Sequence, residues 1–155
     1  MGKLIWHEYA RFVSITASVY AVWAGFMGIM YRKYFWDFVG GTLRDPGGIQ
    51  APASAAPMIA VIVKAPVVPI FAIVVGLLLL AIENPLPLIK STGLYRSLVL
   101  RVVLLVTQFV LTILFYQGTN AAVYSFVAMC CYTRAIMLGE EMKEAKENRG
   151  RGGSA

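Results

Sequence analysis

Three long stretches without a charged residue constrain this chain more than any other feature of its sequence. Phe12–Tyr31 contains 20 uncharged residues, Ala65–Ile82 contains 18 and Val102–Thr133 contains 32. An α-helix rises 1.5 Å per residue, so about 20 residues cross the ~30 Å hydrocarbon core of a bilayer. The first two stretches therefore match one transmembrane span each, and the third is long enough for two.

A short polar segment divides the third stretch. Gln117-Gly118-Thr119-Asn120 combines a turn-forming glycine with side chains that favour a helix N-cap. The sequence therefore predicts an all-α integral membrane protein, a four-transmembrane-helix bundle whose last two helices form a hairpin. The helices are expected near residues 10–33, 58–83, 95–117 and 120–138. They form a membrane domain of residues 1–139, followed by a short charged tail of residues 140–155.

Composition agrees with this class. The 155 residues are 59% hydrophobic and 14% charged, whereas soluble domains carry about 25% charged residues. A soluble chain of this length cannot hide so much apolar surface in one core. The net charge of +6 does not indicate nucleic-acid binding, because the basic residues do not cluster with aromatic ones. It fits basic residues that are retained at the cytosolic face of a membrane.

The distribution of lysine and arginine predicts the orientation of the spans. With four spans, the N-terminus, the second connection and the tail lie on one side of the membrane. Ten lysine and arginine residues fall on that side; the other four are Arg32, Lys33, Arg44 and Lys64. Because basic residues are retained in the cytosol, both termini are expected to be cytosolic.

The first connection, residues 34–57, and the tail carry few chemical signals. The connection begins with the aromatic run Tyr34–Phe38, which is typical of a membrane interface, and then becomes rich in glycine and proline, which indicates turns. A ligand-binding loop is the less favoured alternative. The start of the tail, Glu140–Glu147, predicts a solvated helix that continues out of the fourth span. Docking on a partner or on anionic lipid is the alternative for the tail.

Polar residues inside the spans are few, and each is costly in lipid. Lys64, Arg96 and Arg101 lie near span ends, where their long side chains can carry the charge to the headgroups. Two prolines that follow Lys64 are expected to bend the second helix. Thr107 and Gln108 lie deeper and are expected to hydrogen-bond across helices. Such a short set of polar side chains disfavours a channel or a transporter.

Small residues mark the packing face of the first predicted helix. They are Ala17, Ser18, Ala21, Ala24, Gly25 and Gly28. Small side chains at this spacing allow helix backbones to approach closely in a membrane.

The chain lacks the groups that an enzyme would need. Its one histidine, His7, precedes the first predicted span, whereas a haem held by two histidines needs both at membrane depth. The adjacent Cys130 and Cys131 have no second pair nearby to complete a metal site, and they are expected to pack as small apolar residues. Phosphate-binding and dinucleotide-binding motifs are missing as well. The sequence therefore predicts no enzyme, no catalytic residue, no metal and no cofactor held by this chain alone.

Several short motifs occur in a characteristic order. They are Met1-Gly2 with Trp6, Glu83-Asn84-Pro85 after an apolar run, Arg96 and Arg101 before a long uncharged hairpin, and Tyr132 and Gly139-Glu140 at its end. This order resembles the light-chain (alpha) subunit of the phagocyte flavocytochrome b NADPH oxidase. The segments around Phe35–Phe38 and Tyr116–Asn120 are similar to its fungal counterpart, the NoxD family.

This resemblance implies a non-catalytic membrane subunit that assembles with a superoxide-producing NADPH oxidase and stabilises it. Haem, flavin and NADPH would all be held by the oxidase catalytic subunit. The chain would reside in the endoplasmic reticulum, with the plasma membrane as a second location. The family-characteristic or partner-contact positions are Trp6, Glu83, Arg96, Arg101, Tyr132, Gly139 and Glu140.

One feature limits what the resemblance implies. The chain has no proline after Pro87, so it lacks the proline-rich tail through which the animal subunit binds SH3 domains. A four-span scaffold or trafficking factor of the endoplasmic reticulum, unrelated to oxidases, is the alternative function.

Overall fold

The computed structural model describes residues 4–31, 53–84 and 92–151, and these ranges contain helices and no β-strand. The α-helices are α1 (Trp6–Tyr31), α2 (Ala56–Ile59), α3 (Val67–Glu83), α4 (Gly93–Arg96), α5 (Leu98–Ile113), α6 (Thr119–Met137) and α7 (Lys143–Gly150). The all-α class is confirmed for this part of the chain. Residues 34–52 of the first connection lie outside the described ranges, as do Arg32, Lys33 and Lys90.

Four helices form the bundle. α1 packs between α3 and α6, and α5 packs against the other sides of α6 and α3, so the four helices close into a ring. Small residues line the inner face of α1, where all six of the small residues named in the sequence are buried. The predicted packing face of the first helix is therefore confirmed.

Glycines set the distance between α1 and α3. A Cβ atom at Gly25 would meet the Ile73 side chain and would lie 2.8 Å from the carbonyl oxygen of Pro69. From the other helix, a Cβ atom at Gly76 would lie 2.9 Å from Val22 Cγ2 and 3.1 Å from the carbonyl oxygen of Ser18. Close approach of the two backbones thus requires glycine on both helices.

A break precedes α3. A 3₁₀ turn at Ala53–Ala55 leads into α2 and then into a π-helical turn at Ala60–Lys64, where the amide of Ala65 donates to the carbonyl of Ala60 at 2.8 Å. The segment Ala53–Ile62 is inclined by 51° to α3. The bend that the prolines predicted is present, because proline cannot donate the hydrogen bond that would continue the helix. Lys64 is exposed at this break.

The turn between α5 and α6 is close to the predicted one. A 3₁₀ turn at Tyr116–Gly118 joins the two helices, and α6 begins at Thr119. A Cβ atom at Gly118 would overlap the carbonyl group of Thr112, so only glycine fits there. The expected side-chain N-cap is not formed: Gly118 occupies the cap position, and Thr119 Oγ1 donates to the carbonyl of Tyr116 at 2.9 Å.

Of the two side chains that were predicted to hydrogen-bond across helices, one does so. Gln108 Nε2 on α5 donates to Ser125 Oγ on α6 at 2.8 Å, and both residues are buried. Thr107 instead donates to the carbonyl of Val103 in its own helix at 2.9 Å. The threonine side chain is too short to reach the neighbouring helix from the outer face of α5.

The tail differs from its prediction. α6 ends at Met137, and the chain turns at Gly139, where φ is 67°. The separate helix α7 then packs back on the bundle through Ala145 and through Met142, the residue just before the helix; both are buried beside Tyr95 and Leu98. The tail helix is therefore neither a continuation of the fourth helix nor solvated on all sides.

By length and hydropathy, one helix in the described ranges suits a membrane span by itself. This helix is α1, with 26 residues. The bent pair formed by Ala53–Ile62 and α3 meets the same criteria if it is taken as one span, and α5 is a shorter apolar helix.

Candidate functional site

A buried ionic network joins three helices at one end of the bundle. Glu83 is the last residue of α3, Arg101 lies in the first turn of α5, and Tyr132 lies in the second half of α6. Arg101 Nε donates to Glu83 Oε2 at 3.2 Å, and the Tyr132 hydroxyl donates to Glu83 Oε1 at 2.7 Å. Each of the three side chains is about 1% exposed or less. Both carboxylate oxygens of Glu83 are therefore engaged.

Each nitrogen of the Arg101 guanidinium donates at least one hydrogen bond. Nη1 donates to the carbonyls of Tyr95 at 2.6 Å and Ser97 at 3.2 Å, and Nη2 donates to the carbonyl of Ile82 at 3.4 Å. The Arg101 Cζ atom also lies 5.4 Å from the ring centroid of Tyr95. The prediction that Arg101 extends toward the headgroups is wrong, because these acceptors and the Glu83 carboxylate replace water around its charge.

A fourth element joins this network from the side. Arg11 on α1 donates from Nε to the backbone carbonyl of Glu83 at 2.9 Å. This carbonyl is one of the last in α3. The last carbonyl groups of a helix have no partners within the helix, and they give this end of it a partial negative charge. Arg11 therefore ties the beginning of α1 to the end of α3.

A second carboxylate caps the beginning of α1. Glu140 accepts from the amides of Trp6 at 3.1 Å and His7 at 2.9 Å, and its Oε2 lies 2.8 Å from His7 Nδ1. The first amides of a helix lack intrahelical partners and favour a negative charge. Partial burial by itself would raise the pKa of Glu140, but the hydrogen bonds from His7 and Trp6 outweigh it and hold that pKa below its ordinary value.

The end of α6 delivers Glu140 to this position. The amide of Glu140 donates to the carbonyl of Ala135 at 2.9 Å, and the amide of Gly139 donates to the carbonyl of Ile136 at 3.0 Å. This is the Schellman pattern, in which the residue after the C-cap adopts the left-handed conformation that glycine tolerates best. Gly139 thus has a backbone role that its place in the sequence motif did not reveal.

A cavity of about 200 Å³ lies between the two carboxylate sites. Its lining includes both charge signs, with Arg11 and Lys143 set against Glu8 and Glu144, and it also includes His7. Helix α7 forms one wall of the cavity. The cavity thus has a mixed lining of charged and apolar side chains and lies beside the buried ionic network.

The arrangement is suited to holding helices together. The oxygens of Glu83 accept two hydrogen bonds, and Arg101 donates to four acceptors. Among the described residues, no group of three or more His, Cys, Asp and Glu side chains could hold a metal ion. Cys130 and Cys131 are free thiols.

Six of the seven residues that the sequence predicted to be family-characteristic contribute to this end of the bundle. Glu83, Arg101 and Tyr132 form the ionic network; Trp6, Gly139 and Glu140 form the cap of α1. Arg96 does not join either group: its side chain is half-buried, and its Nε atom has no hydrogen-bond partner.

Three residues that take part in the contacts at this end of the bundle were not predicted from the sequence. Two of them, His7 and Arg11, are spaced by four residues, so they share a face of α1. This spacing was visible, but α1 was expected to begin near residue 10, which left His7 outside it. The third, Tyr95, contributes a backbone carbonyl and a ring, and the sequence carried no signal for either contact.

Comparison with known proteins gives one match. A family model described as a domain of unknown function matches residues 1–140. This range includes the bundle and the Glu140 cap. No curated protein and no solved structure matches the chain.

Proposed function

This chain belongs to DUF7727, a family defined by a domain of unknown function, and we propose that it is a non-catalytic membrane subunit of a superoxide-producing NADPH oxidase. The subunit crosses the membrane four times, with both termini in the cytosol. It packs beside the membrane domain of the oxidase catalytic subunit and stabilises it, in the endoplasmic reticulum and at the plasma membrane.

The distribution of side chains supports the membrane part of this proposal. Large apolar residues point outward from the bundle, for example Phe12 (71% exposed) and Trp23 (61%), whereas the polar Ser18, Gln108 and Ser125 are fully buried. A soluble protein rarely exposes such large contiguous apolar surfaces. Lipid tails solvate the apolar outer faces without any unpaired polar group. The polar side chains inside the bundle are shielded from the lipid.

The observation that carries the proposal is that the residues on which the resemblance rests lie at the same end of the bundle. Trp6, Glu83 and Arg101 are far apart in the sequence, yet they meet Tyr132 and Glu140 at one end of the bundle. Chance similarity between apolar helices would scatter matching residues over the surface. Residues that lie together at one end of the bundle, in a buried ionic network and a helix cap, instead have a structural reason to occur together, which supports a common architecture with the oxidase light chain.

The positions of the polar groups support the non-catalytic part of the proposal. Glu83 and Arg101 engage each other, and the one histidine is at the beginning of α1 beside Glu140. Haem, flavin and NADPH are therefore assigned to the catalytic partner. In the proposed complex, this chain contributes the helix surface against which the catalytic subunit packs.

Deletion of the gene tests the proposal. We expect the oxidase catalytic subunit to fall in abundance and its superoxide production to be lost, and the intact chain to restore both. Affinity purification of the tagged chain in mild detergent should recover a protein with a haem absorption spectrum.

Two results would contradict the proposal. Unchanged oxidase abundance and unchanged superoxide in the deletion strain would remove it. Purification with membrane partners that contain no haem protein would favour the scaffold or trafficking function instead.

A further inference from the structure

The cavity beside the ionic network contains a buried side chain whose polar atom has no partner. Tyr95 lines this cavity and is 1% exposed, and Arg101 Cζ lies 5.4 Å from the centroid of its ring. Within residues 4–31, 53–84 and 92–151, the Tyr95 hydroxyl makes no hydrogen bond. Buried polar atoms almost always have a partner, and a phenol hydroxyl is a donor at neutral pH. The Tyr95 hydroxyl therefore marks a place for an acceptor in the cavity.

Arg11 provides further donors to the same cavity. Its Nε atom donates to the backbone carbonyl of Glu83 at 2.9 Å, and this bond holds the guanidinium in the cavity wall. Its two Nη atoms have no hydrogen-bond partner among the described residues. The guanidinium group presents a rigid fork of donors that matches the oxygen atoms of a phosphate. Together with Lys143, which also lines the cavity, these groups suit an anion.

The lining carries acceptors as well. Glu8 on α1 and Glu144 on α7 line the cavity, and neither belongs to an ion pair in the part of the chain that the structure describes. Glu83 is already engaged in the ionic network. The charges of the lining that lack an ion pair are therefore two positive, Arg11 and Lys143, and two negative. A simple anion would leave both carboxylates without a cation, whereas a zwitterion matches both signs.

The size and the position of the cavity restrict the ligand further. Its volume of about 200 Å³ is below the roughly 300–1,000 Å³ of pockets that enclose drug-sized ligands, so it suits a small charged group. It lies where α1 and α5 begin and where α3 ends. In the proposed membrane arrangement, this end of the bundle lies at the boundary between hydrocarbon and water, the depth of phospholipid headgroups. Leu98 and Met142 add an apolar part to the lining, which suits the carbon atoms of such a headgroup.

We propose that this cavity binds the headgroup of a zwitterionic phospholipid with a primary ammonium group, as in phosphatidylethanolamine. The phosphate accepts hydrogen bonds from Arg11 and Tyr95 and lies beside Lys143. The lipid ammonium donates to Glu8 and Glu144, which the trimethylammonium group of phosphatidylcholine cannot do because it has no N–H. This site rests on the proposed function only for the membrane location of the chain, and it does not require the oxidase.

Native mass spectrometry of the purified, delipidated chain in detergent tests the choice of headgroup. Phosphatidylethanolamine, phosphatidylcholine and phosphatidylglycerol with identical acyl chains are titrated separately, and so is soluble phosphoethanolamine. We expect one phosphatidylethanolamine per chain and about ten-fold weaker binding of the other two lipids. Phosphatidylcholine lacks the N–H donors and phosphatidylglycerol lacks the cation, and a hydrogen bond to a charged group is worth at least this factor. Phosphoethanolamine should bind more weakly still, because it has no acyl chains in contact with the bundle.

The variant Tyr95→Phe isolates the unpartnered hydroxyl. It keeps the ring beside Arg101 and the backbone carbonyl that accepts from Arg101 at 2.6 Å, so the fold should be retained. We expect about ten-fold weaker binding of phosphatidylethanolamine. Tyr9→Phe is the matched control, because Tyr9 is exposed on α1 and does not line the cavity, and it should leave binding unchanged.

The variant Glu144→Gln tests the match to a zwitterion. It removes one acceptor of the lipid ammonium, so it should weaken the binding of phosphatidylethanolamine and reduce the preference over phosphatidylglycerol. Glu147→Gln makes the same change of net charge at an exposed position of α7 outside the lining, and the preference should be retained. Circular dichroism and unfolding of each variant without lipid show that it is folded.

Three results would overturn this inference. Equal binding of the three phospholipids, or a preference for phosphatidylglycerol, would exclude a zwitterion site. Unchanged binding in both Tyr95→Phe and Glu144→Gln would place the lipid elsewhere. Binding of phosphoethanolamine as tightly as the lipid would make the ligand a soluble one.

The outcomes are distinct from those that test the oxidase. If the deletion strain loses oxidase while the purified chain does not discriminate between headgroups, the proposed function stands and the lipid site is wrong. If the chain selects phosphatidylethanolamine through Tyr95 and Glu144 while the deletion leaves the oxidase unchanged, the lipid site stands and the oxidase role is wrong.

Discussion

Glu83 and Arg101 illustrate how a buried charge pair is held at the scale of single residues. Removing both ions from water is expensive, and their mutual attraction offsets this only when every remaining hydrogen-bonding group is satisfied. Here the Tyr132 hydroxyl and three backbone carbonyls are additional partners, so that both carboxylate oxygens and all three guanidinium nitrogens are hydrogen-bonded. The pair is consequently a specific device for fixing α3, α5 and α6 together, and each member depends on the other.

The first prediction concerns this dependence. Arg101→Gln leaves the buried Glu83 carboxylate without its cation and should destabilise the fold by about 3–5 kcal/mol. Glu83→Gln should be destabilising in turn, and the double variant should lose much less than the sum, with a coupling of about 0.5–3 kcal/mol. Unfolding of the purified variants in detergent gives these values. Additive losses would show that the two side chains act independently.

Tyr132→Phe gives a milder version of the same test. It removes only the hydroxyl that donates to Glu83, and a hydrogen bond to a charged group contributes about 1.5–3 kcal/mol. Tyr9→Phe is the matched control, because Tyr9 is exposed on α1 and its loss of a hydroxyl should change stability little. Equal effects of the two substitutions on unfolding would contradict the assigned role of Tyr132.

The cap of α1 predicts a pH dependence. The pKa of Glu140 is lowered in the folded state from its ordinary 4.5, so the folded state favours the ionised form. Its stabilising contribution is full above about pH 4.5 and is lost as the pH falls through the lower folded value. The stability difference between the native chain and Glu140→Gln should therefore shrink as the pH falls below 4.5. A difference that stays constant down to pH 3 would exclude an ionised cap.

At the scale of the helix, Gly139 decides where α6 ends and where the tail goes. Its left-handed backbone closes the hydrogen bonds of the last turn and directs Glu140 toward the first amides of α1. The turn at Gly139 therefore connects the end of α6 to the first residues of α1, which are more than a hundred residues away in the sequence. α7 follows from the same turn and covers the cavity beside the ionic network.

Substitution of this glycine tests the connection. Gly139→Ala should cost about 1–2 kcal/mol, because an L-residue is strained in the left-handed region. Gly93→Ala is the control: nothing lies within 4 Å of the added methyl group, and Gly93 does not have a positive φ. We expect faster proteolysis of the tail and lower thermal stability for the Gly139 variant only. Gly139→Asn should be intermediate, since asparagine tolerates this conformation better.

For the whole molecule, the contact between Glu140 and Trp6 places the beginning of α1 and the tail at the same end of the bundle. The Tyr116–Gly118 turn lies at the other end, beside Gly28 and Phe115. In a membrane, these two ends face different compartments. In the proposed topology, the excess of basic residues on the side of the termini predicts that this end is cytosolic.

Cysteine labelling checks this topology. In a background in which Cys130 and Cys131 are replaced by alanine, Glu147→Cys should react with an impermeant maleimide on sealed, cytosol-side-out vesicles. Asn120→Cys, exposed at the beginning of α6, should react only after the vesicles are permeabilised. Equal labelling of the two positions before permeabilisation would rule out the proposed arrangement.

Much of the architecture follows from local properties of the chain. Apolar length, the spacing of small residues on the first helix and the glycine in the α5–α6 turn each depend on neighbouring residues, so the helices, the packing face of α1 and the position of the hairpin could be predicted. The separate helix α7 could not, because Glu140–Glu147 suits a helix equally well whether it continues α6 or folds back.

The sequence by itself determined an all-helical chain with a handful of polar residues near the helix ends. Only the tertiary structure decided which of these residues turn inward. Arg96 and Arg101 lie five residues apart in similar sequence, yet of these two only Arg101 contacts the Glu83 carboxylate. Arg101 is 18 residues from Glu83 in the sequence, and Tyr132, which binds the same carboxylate, is 49 residues from it. The physical reason is that a buried charge is stable only where acceptors from several helices converge, and that convergence is a property of how the helices pack.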